Sequence, residues 1–316
     1  MRRALLILKV TLTFALLGGV LAAADLPTLG RLLGDASFGY FAAAVGTLVV
    51  QTFVLSARFQ TIIAALGPPI AAWTAIEVSF VGVLFNQALP SAIGGDAIRA
   101  WRLRSDGRPW RVAVNAVLLD RAGGVVVLAV LAAVAVTIES TEVFAPLRLA
   151  LWAVAAAGVA ALGFIAVADR LTLVPGAVQR LLATSGLPTS ARRVLAPRIA
   201  PSTTAWSVAS HLLAALAVYW LAAALGLEVA VGTLLTAALC MMLATMIPLS
   251  YAGWGIREAG AVWLLARAGI ATESALAISV LFGAALLVAA LPGVPLWLLS
   301  LRERRGAPIP PPPDTP

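Results

Sequence analysis

The chain has one cysteine, one histidine and one lysine in 316 residues. A lone Cys240 excludes an intrachain disulfide and a CxxC redox or zinc motif, and a lone His211 leaves no Cys/His metal set. A Ser/His/Asp hydrolase would have to use His211, which lies in the apolar run WSVASHLLAALAVYWL and reads as an interior histidine hydrogen-bonded across helices. GxSxG, Walker and dinucleotide motifs are missing too, so no cofactor, metal or bound nucleotide is expected. Charge is equally scarce: 11% of residues are charged, 61% are hydrophobic and the mean hydropathy is +1.00. That leaves too little polar material to cover a soluble globule. The expected fold class is an all-α, polytopic integral membrane protein.

The charge that is present is unbalanced, +8 at neutral pH with a pI near 11.1. In a soluble protein this would point to nucleic acid. Here the basic residues fall between apolar blocks, as in cytoplasmic loops that face anionic lipid, so no nucleic-acid partner is expected. All but Lys9 are arginine, whose planar fork matches phosphate bidentately.

A spanning helix needs about 20 apolar residues, and about eight stretches qualify, near 4–24, 37–57, 70–89, 113–138, 147–168, 204–225, 229–247 and 273–300. The first is longer than the roughly 7–15 residues of a signal h-region and reads as an uncleaved anchor. Residues 1–305 read as one transmembrane domain, and the proline-rich 306–316 as a disordered tail. The longest polar stretch, 170–202, reads as a loop with one surface helix.

Arginines cluster at the N-terminus, in 99–111, in 170–198 and at 302–305. The positive-inside rule places all four in the cytoplasm, with both termini there, in the cell (inner) membrane. Three simple spans before Arg99 would put that cluster outside. The conflict disappears if the third stretch enters, breaks at Pro90 and returns as a re-entrant hairpin, with similarly irregular backbone near 251–268.

The same two places carry matching motifs. In PSAIGGDAIR, Pro90, Gly95, Ile98 and Arg99 have the spacing of Pro248, Gly253, Ile256 and Arg257 in PLSYAGWGIR, at an offset of 158, half of the 316 residues. The match is what an internal, inverted duplication with halves 1–158 and 159–305 would leave. Proline ends a helical ladder, while Gly94, Gly95, Gly253 and Gly255 permit unwound backbone. Inside a membrane such backbone survives only against protein or a water-filled cavity, and paired interruptions mark a transporter's binding site. A helix restarting after each break, with Asp96 or Gly255 near its cap, would aim N–H groups and a following arginine at the gap, a phosphate site. Arg99 and Arg257 at bilayer depth need partners, and Asp96 and Glu258 are the nearest. Glu77 in mid-span, Asn86 and Gln87 before the break, and Asp120 and Arg121 early in the fourth span are further candidates to line the site.

In NQALPSAIGGDAIRAWRL, LLDRAGG and IPLSYAGWGIREAGAVWLL, in that order, the chain resembles the lysylphosphatidylglycerol synthase transmembrane-region family, the flippase part of the bacterial multiple peptide resistance factor. The resemblance implies a multi-pass protein that moves a lipid with a charged or glycosylated headgroup between leaflets, such as an aminoacyl-phosphatidylglycerol or a polyprenyl-phosphate sugar. The family's motif positions fall here on Asn86, Pro90, Gly94, Gly95, Asp96, Arg99, Asp120, Arg121, Pro248, Gly253, Gly255, Arg257 and Glu258. No aminoacyl-transferase domain follows the last span, so synthase activity is not expected. The alternatives are an enzyme or subunit of lipid-carrier glycosyl or acyl transfer, for which only Asp96, Asp120 and Glu258 offer catalytic carboxylates, and a noncatalytic partner of a lipid-modifying enzyme. The expected partners are membrane lipids with anionic headgroups, with a lipid-modifying enzyme and a homo-oligomer left open.

Overall fold

The structure, a computed structural model, describes residues 24–89, 94–139, 144–171, 175–246, 255–267 and 269–305, with positions 11, 18, 19 and 22 before them. The expected first span at 4–24 lies almost wholly outside the described residues, as do the tail 306–316 and three of the break residues, Pro90, Pro248 and Gly253.

The described chain is helical, with no strand. In order the helices are α1 (Leu26–Gly34), α2 (Phe38–Leu66), α3 (Ala72–Ala88), α4 (Gly94–Ser105), α5 (Trp110–Ile138), α6 (Ala145–Val167) and α7 (Gly176–Ser185). They continue with α8 (Leu187–Val194), α9 (Ala200–Ala224), α10 (Val231–Thr245), α11 (Ile256–Arg267), α12 (Thr272–Ala290) and α13 (Gly293–Arg305). Five segments are long and apolar enough to cross a membrane: α2, α5, α6 with the turn that follows it, α9, and Thr272–Leu301. Two expected spans are shorter than anticipated. The stretch 70–89 forms the 17 residues of α3 and 229–247 forms the 15 of α10, below the roughly 20 that a bilayer requires.

Each short helix packs against the short helix that follows it, α3 on α4 and α10 on α11. The first pair is an antiparallel hairpin. Arg102 on α4 binds Glu77 on α3, the Arg99 chain crosses Gly82, and the Gly95 N–H donates to Asn86 Oδ1 at 3.1 Å. A side chain at Gly95 would collide with the Gly82 carbonyl oxygen, so the two backbones can meet there only through glycine.

The packing has a two-fold pattern. The long helices α2 and α9 lie together, and the other contacts within α2–α5 and α9–α12 come in matching pairs. Thus α2–α3 matches α9–α10, α4–α5 matches α11–α12, and α3–α12 matches α10–α5. The α2–α9 pair is antiparallel: the Ser37 N–H donates to the Ala224 carbonyl, Tyr40 stacks on Trp220, and Arg58 reaches Ser207. One quartet is therefore inverted relative to the other, and the two hairpins enter from opposite ends of the bundle. The central core is rich in alanine (Ala132, Ala214, Ala215, Ala217, Ala237, Ala238), small residues that let helices approach where lipid supplies no hydrophobic drive.

The ends of the bundle differ in charge. Where α2 ends and α5 and α9 begin, Arg108 donates to the Pro68 carbonyl, Arg111 to Thr184 and Arg193 to Leu66. At the opposite end Glu139 caps α5 and Glu273, in the first turn of α12, accepts the Asp25 N–H. Two of the arginines counted in the 99–111 cluster do not belong to that basic end, because Arg99 and Arg102 turn inward into ion pairs. The stretch 170–202 holds two short helices rather than one, and α8 tucks Ala191 and Val194 into the second core beside Phe59 and Ile63.

Candidate functional site

The inner ends of the hairpins carry buried ions. At the α3–α4 tip, Asp96 lies in the first turn of α4 and pairs with Arg121 of α5 and, at 3.6 Å, with Arg99. Asp120, a residue before Arg121 on α5 and 3% exposed, binds two arginines: Arg58 Nε at 2.8 Å and Arg99 Nη2 at 2.9 Å. Arg58 also donates to Ser207 Oγ at 3.1 Å. Arg99 is held from a third side by the Phe59 ring, 3.9 Å from its guanidinium carbon. Among the described residues three arginines thus face two carboxylates, a surplus of one positive charge. Arg99 Nε and the neighbouring Ser79 Oγ are buried without a hydrogen-bond partner among the described residues, so this arginine keeps a donor to offer.

The second tip is assembled differently. Gly255 stands at φ 86°, a conformation that favours glycine, and α11 starts behind it. Its N–H donates to Glu258 Oε2 at 2.6 Å, the reach-back of a capping box. The other carboxylate oxygen takes Arg257 Nη2 at 2.6 Å and Nε at 3.0 Å, and Ser279 of α12 bridges the two. Glu258, 1% exposed, therefore caps the helix and orients the arginine at once. The guanidinium lies against Gly283, where a Cβ would come within 2.5 Å of Nη2.

Between the tips is a cavity of about 310 Å³ lined by Asn86, Asp96, Arg99, Asp120, Arg121 and His211 among others. An adjoining lobe of about 210 Å³ reaches Gln87 and Arg257. The two lobes share Asn86, Arg121, Thr245 and Phe282, so both hairpins and both arginine motifs border one polar space. His211 Nε2 hydrogen-bonds the Gly124 carbonyl at 2.9 Å, across helices.

The structure thus gathers Asn86, Gln87, Asp96, Arg99, Asp120, Arg121 and Arg257 around one cavity, with Glu258 directly behind Arg257 and Gly94, Gly95 and Gly255 where the helices restart. Glu77 is not among them. Arg102 grips it bidentately at 2.7 and 2.9 Å and also pairs with Asp106, so Glu77 locks the hairpin rather than lining the space. Sequence reasoning missed Arg58, Arg102 and Ser279. Arg58 had a readable sign: the apolar run of α2 continues past it to Leu66, so it sits inside a helix of 29 residues and not at its end. Arg102 was concealed among loop arginines, and nothing in the local sequence singles out Ser279. Among the described residues no group of three His, Cys, Asp or Glu side chains is placed to hold a metal ion.

No curated protein sequence matches the chain. The family described as lysylphosphatidylglycerol synthase TM region matches residues 6–293, a stretch that contains both hairpins, the Asp120–Arg121 pair and the cavity between them. The chain belongs to that family of multi-pass membrane domains.

Proposed function

We propose that this protein is a lipid flippase that moves a lipid with a phosphate-containing headgroup between leaflets, without chemical change to the lipid. The observation that carries the reading is the cluster in which, among the described residues, Arg58, Arg99 and Arg121 face Asp96 and Asp120 and Arg99 Nε has no hydrogen-bond partner, beside a cavity between two inverted hairpins. Buried charge of one sign in a bilayer is costly unless something neutralises it, and a phosphate monoanion meets that demand with bidentate arginine contacts. Arg257, reached through the adjoining lobe, offers a second grip of the same kind at the other tip. Inverted halves around one site suit access from either side, because exchanging the conformations of the two hairpins would move the opening from one face to the other.

The arginine-bearing end of the bundle is assigned to the cytoplasm, with the protein in the inner membrane. Aminoacyl-phosphatidylglycerols and polyprenyl-phosphate sugars both carry the required anion. The test is reconstitution of purified protein in liposomes with a headgroup-labelled phospholipid, reading the fraction reached by an impermeant quencher. Protein-dependent exchange that falls at least tenfold in Arg99→Gln is expected, a loss of about 1.4 kcal/mol or more of binding. Exchange untouched by Arg99→Gln and Arg257→Gln, in folded protein, would sink the proposal. Product formation from a lipid donor, seen by mass spectrometry, would replace it with an enzymatic role.

A further inference from the structure

Behind the Arg58–Asp120 pair lies another cavity, of about 320 Å³, enclosed by α2, α5, α6, α8 and α9. Its walls are mostly apolar, with Val126, Val159, Leu162 and Leu195 prominent beside Thr203 and Thr204, and its inner end is closed by Arg58, Asp120 and Ser207. It opens sideways. Val159 is 55% exposed and Leu195 39%, and α6, which carries Val159, buries only Ala155 and Ala166 along its length. A helix so apolar and so little covered faces hydrocarbon, so the mouth of this groove opens onto lipid chains.

The groove and the polar cavity share Arg58, Asp120 and Gly124. The bare backbone of Gly124 admits the Arg58 guanidinium, since a Cβ there would stand 2.9 Å from Nη1. The ion pair is thus the boundary between an apolar space and a polar one. Gly123 and Gly163 also line the groove, and a Cβ on either would meet nothing within 4 Å. Glycine inside a helix weakens it relative to alanine, and here close packing does not require it. What the missing side chains preserve is open volume.

We infer that this groove holds one acyl chain of the lipid whose phosphate occupies the central cavity, with the Arg58–Asp120 pair at the junction of head and chain. The inference rests on the headgroup reading above and adds to it a path for the tail. A lipid whose head is drawn among arginines must keep its chain in apolar surroundings, and this groove, mostly apolar and walled by the outward-facing α6, meets the site at Arg58 and Asp120. Its volume lies at the lower end of the range for small-ligand pockets, which suits a single chain.

The test uses the full-length protein in phosphatidylcholine vesicles containing a phosphatidylglycerol with a photoactivatable diazirine in one acyl chain, with adducts mapped by mass spectrometry after irradiation. Adducts concentrated at Val126, Val159, Leu162 and Leu195, and lost in both Gly163→Leu and Gly123→Leu, are the expected result; the two variants guard against one of them failing to fold. Adducts spread evenly over outward residues such as Leu149, Trp152 and Val154, or unchanged by both leucines, would overturn the inference. So would an unlabelled groove, the outcome if a partner's helix fills it. The two readings separate cleanly. If only the headgroup assignment is wrong, the groove labels while Arg99→Gln leaves lipid exchange intact; if only the groove is wrong, exchange responds to Arg99→Gln while the groove stays unlabelled.

Discussion

Replacing Asp120 by asparagine removes the one carboxylate that both Arg58 and Arg99 touch, at 2.8 and 2.9 Å, while leaving the side chain's size unchanged. The cluster then holds three arginines against Asp96 alone, and its surplus rises from one positive charge to two. Removing one partner of a buried ion pair costs about 3–5 kcal/mol, because the other charge stays behind unpaired. The lower end applies here, since the asparagine oxygen still accepts one N–H and the adjoining cavity admits water. A loss of about 3 kcal/mol corresponds to a fall of about 6–12 °C in the unfolding temperature, taking roughly 2–4 °C per kcal/mol for a chain of this size. The assay is thermal unfolding in a neutral detergent, with and without added phosphatidylglycerol. If the cluster is a phosphate site, the lipid supplies the missing anion, and at about 100 times its Kd a ligand returns about 2.7 kcal/mol. Asp120→Asn should therefore be stabilised more by the lipid than the wild type is. An unfolding temperature unchanged by the substitution would show that Asp120 does not hold these arginines. A variant that gains less from phosphatidylglycerol than the wild type would show that the anion goes elsewhere.

Gly283→Ala places a Cβ 2.5 Å from Arg257 Nη2 and 3.0 Å from its Cζ, so the guanidinium must leave Glu258. Overpacking of about 1–3 kcal/mol and the parting of a buried ion pair together outweigh alanine's helix propensity of about 1 kcal/mol, so the unfolding temperature should fall, and lipid exchange per folded molecule should fall with it, as thermal unfolding and liposome flux on folded protein will measure. Gly95→Ala brings a methyl against the Gly82 carbonyl and should prevent closure of the first hairpin, read as loss of the monodisperse peak in size-exclusion chromatography. Glu77→Gln weakens the bidentate grip on Arg102 and should lower the unfolding temperature, but exchange per folded molecule should stay within about twofold, because Glu77 does not line the cavity. A large loss of exchange at unchanged stability in that variant would return Glu77 to the site.

Several features were legible in the chain because lipid imposes hard rules on backbone and charge. Helices must satisfy their own hydrogen bonds, so a proline and paired glycines at the end of an apolar run mark a turn that protein has to cover. The glycine that meets Gly82 and the aspartate in the first turn of α4 could be named from PSAIGGDAIR alone. Charged residues inside apolar runs are costly enough to be informative one at a time, which is why Arg99, Asp120, Arg121, Arg257 and Glu258 stood out.

Which charges pair was not legible. Arg58 meets an aspartate 62 positions away and a serine 149 away, and Arg102 meets a glutamate 25 away on the other arm of its hairpin. A helix in lipid is apolar on every face, so the periodicity that orients an amphipathic helix in water gives almost no direction here. The inward face of α2 or α5 is chosen by neighbours, through small residues and by where an arginine finds a carboxylate. By itself the sequence determined that the chain is a helical membrane protein, that its short helices are interrupted near PSAIGGDAIR and PLSYAGWGIR, and that Asp96, Asp120, Arg257 and Glu258 are buried. Only the tertiary structure decided that residues of both hairpins border one cavity, that Asp120 joins Arg58 to Arg99, and that Glu77 belongs to the scaffold, because those outcomes depend on the antiparallel docking of helices far apart in the chain.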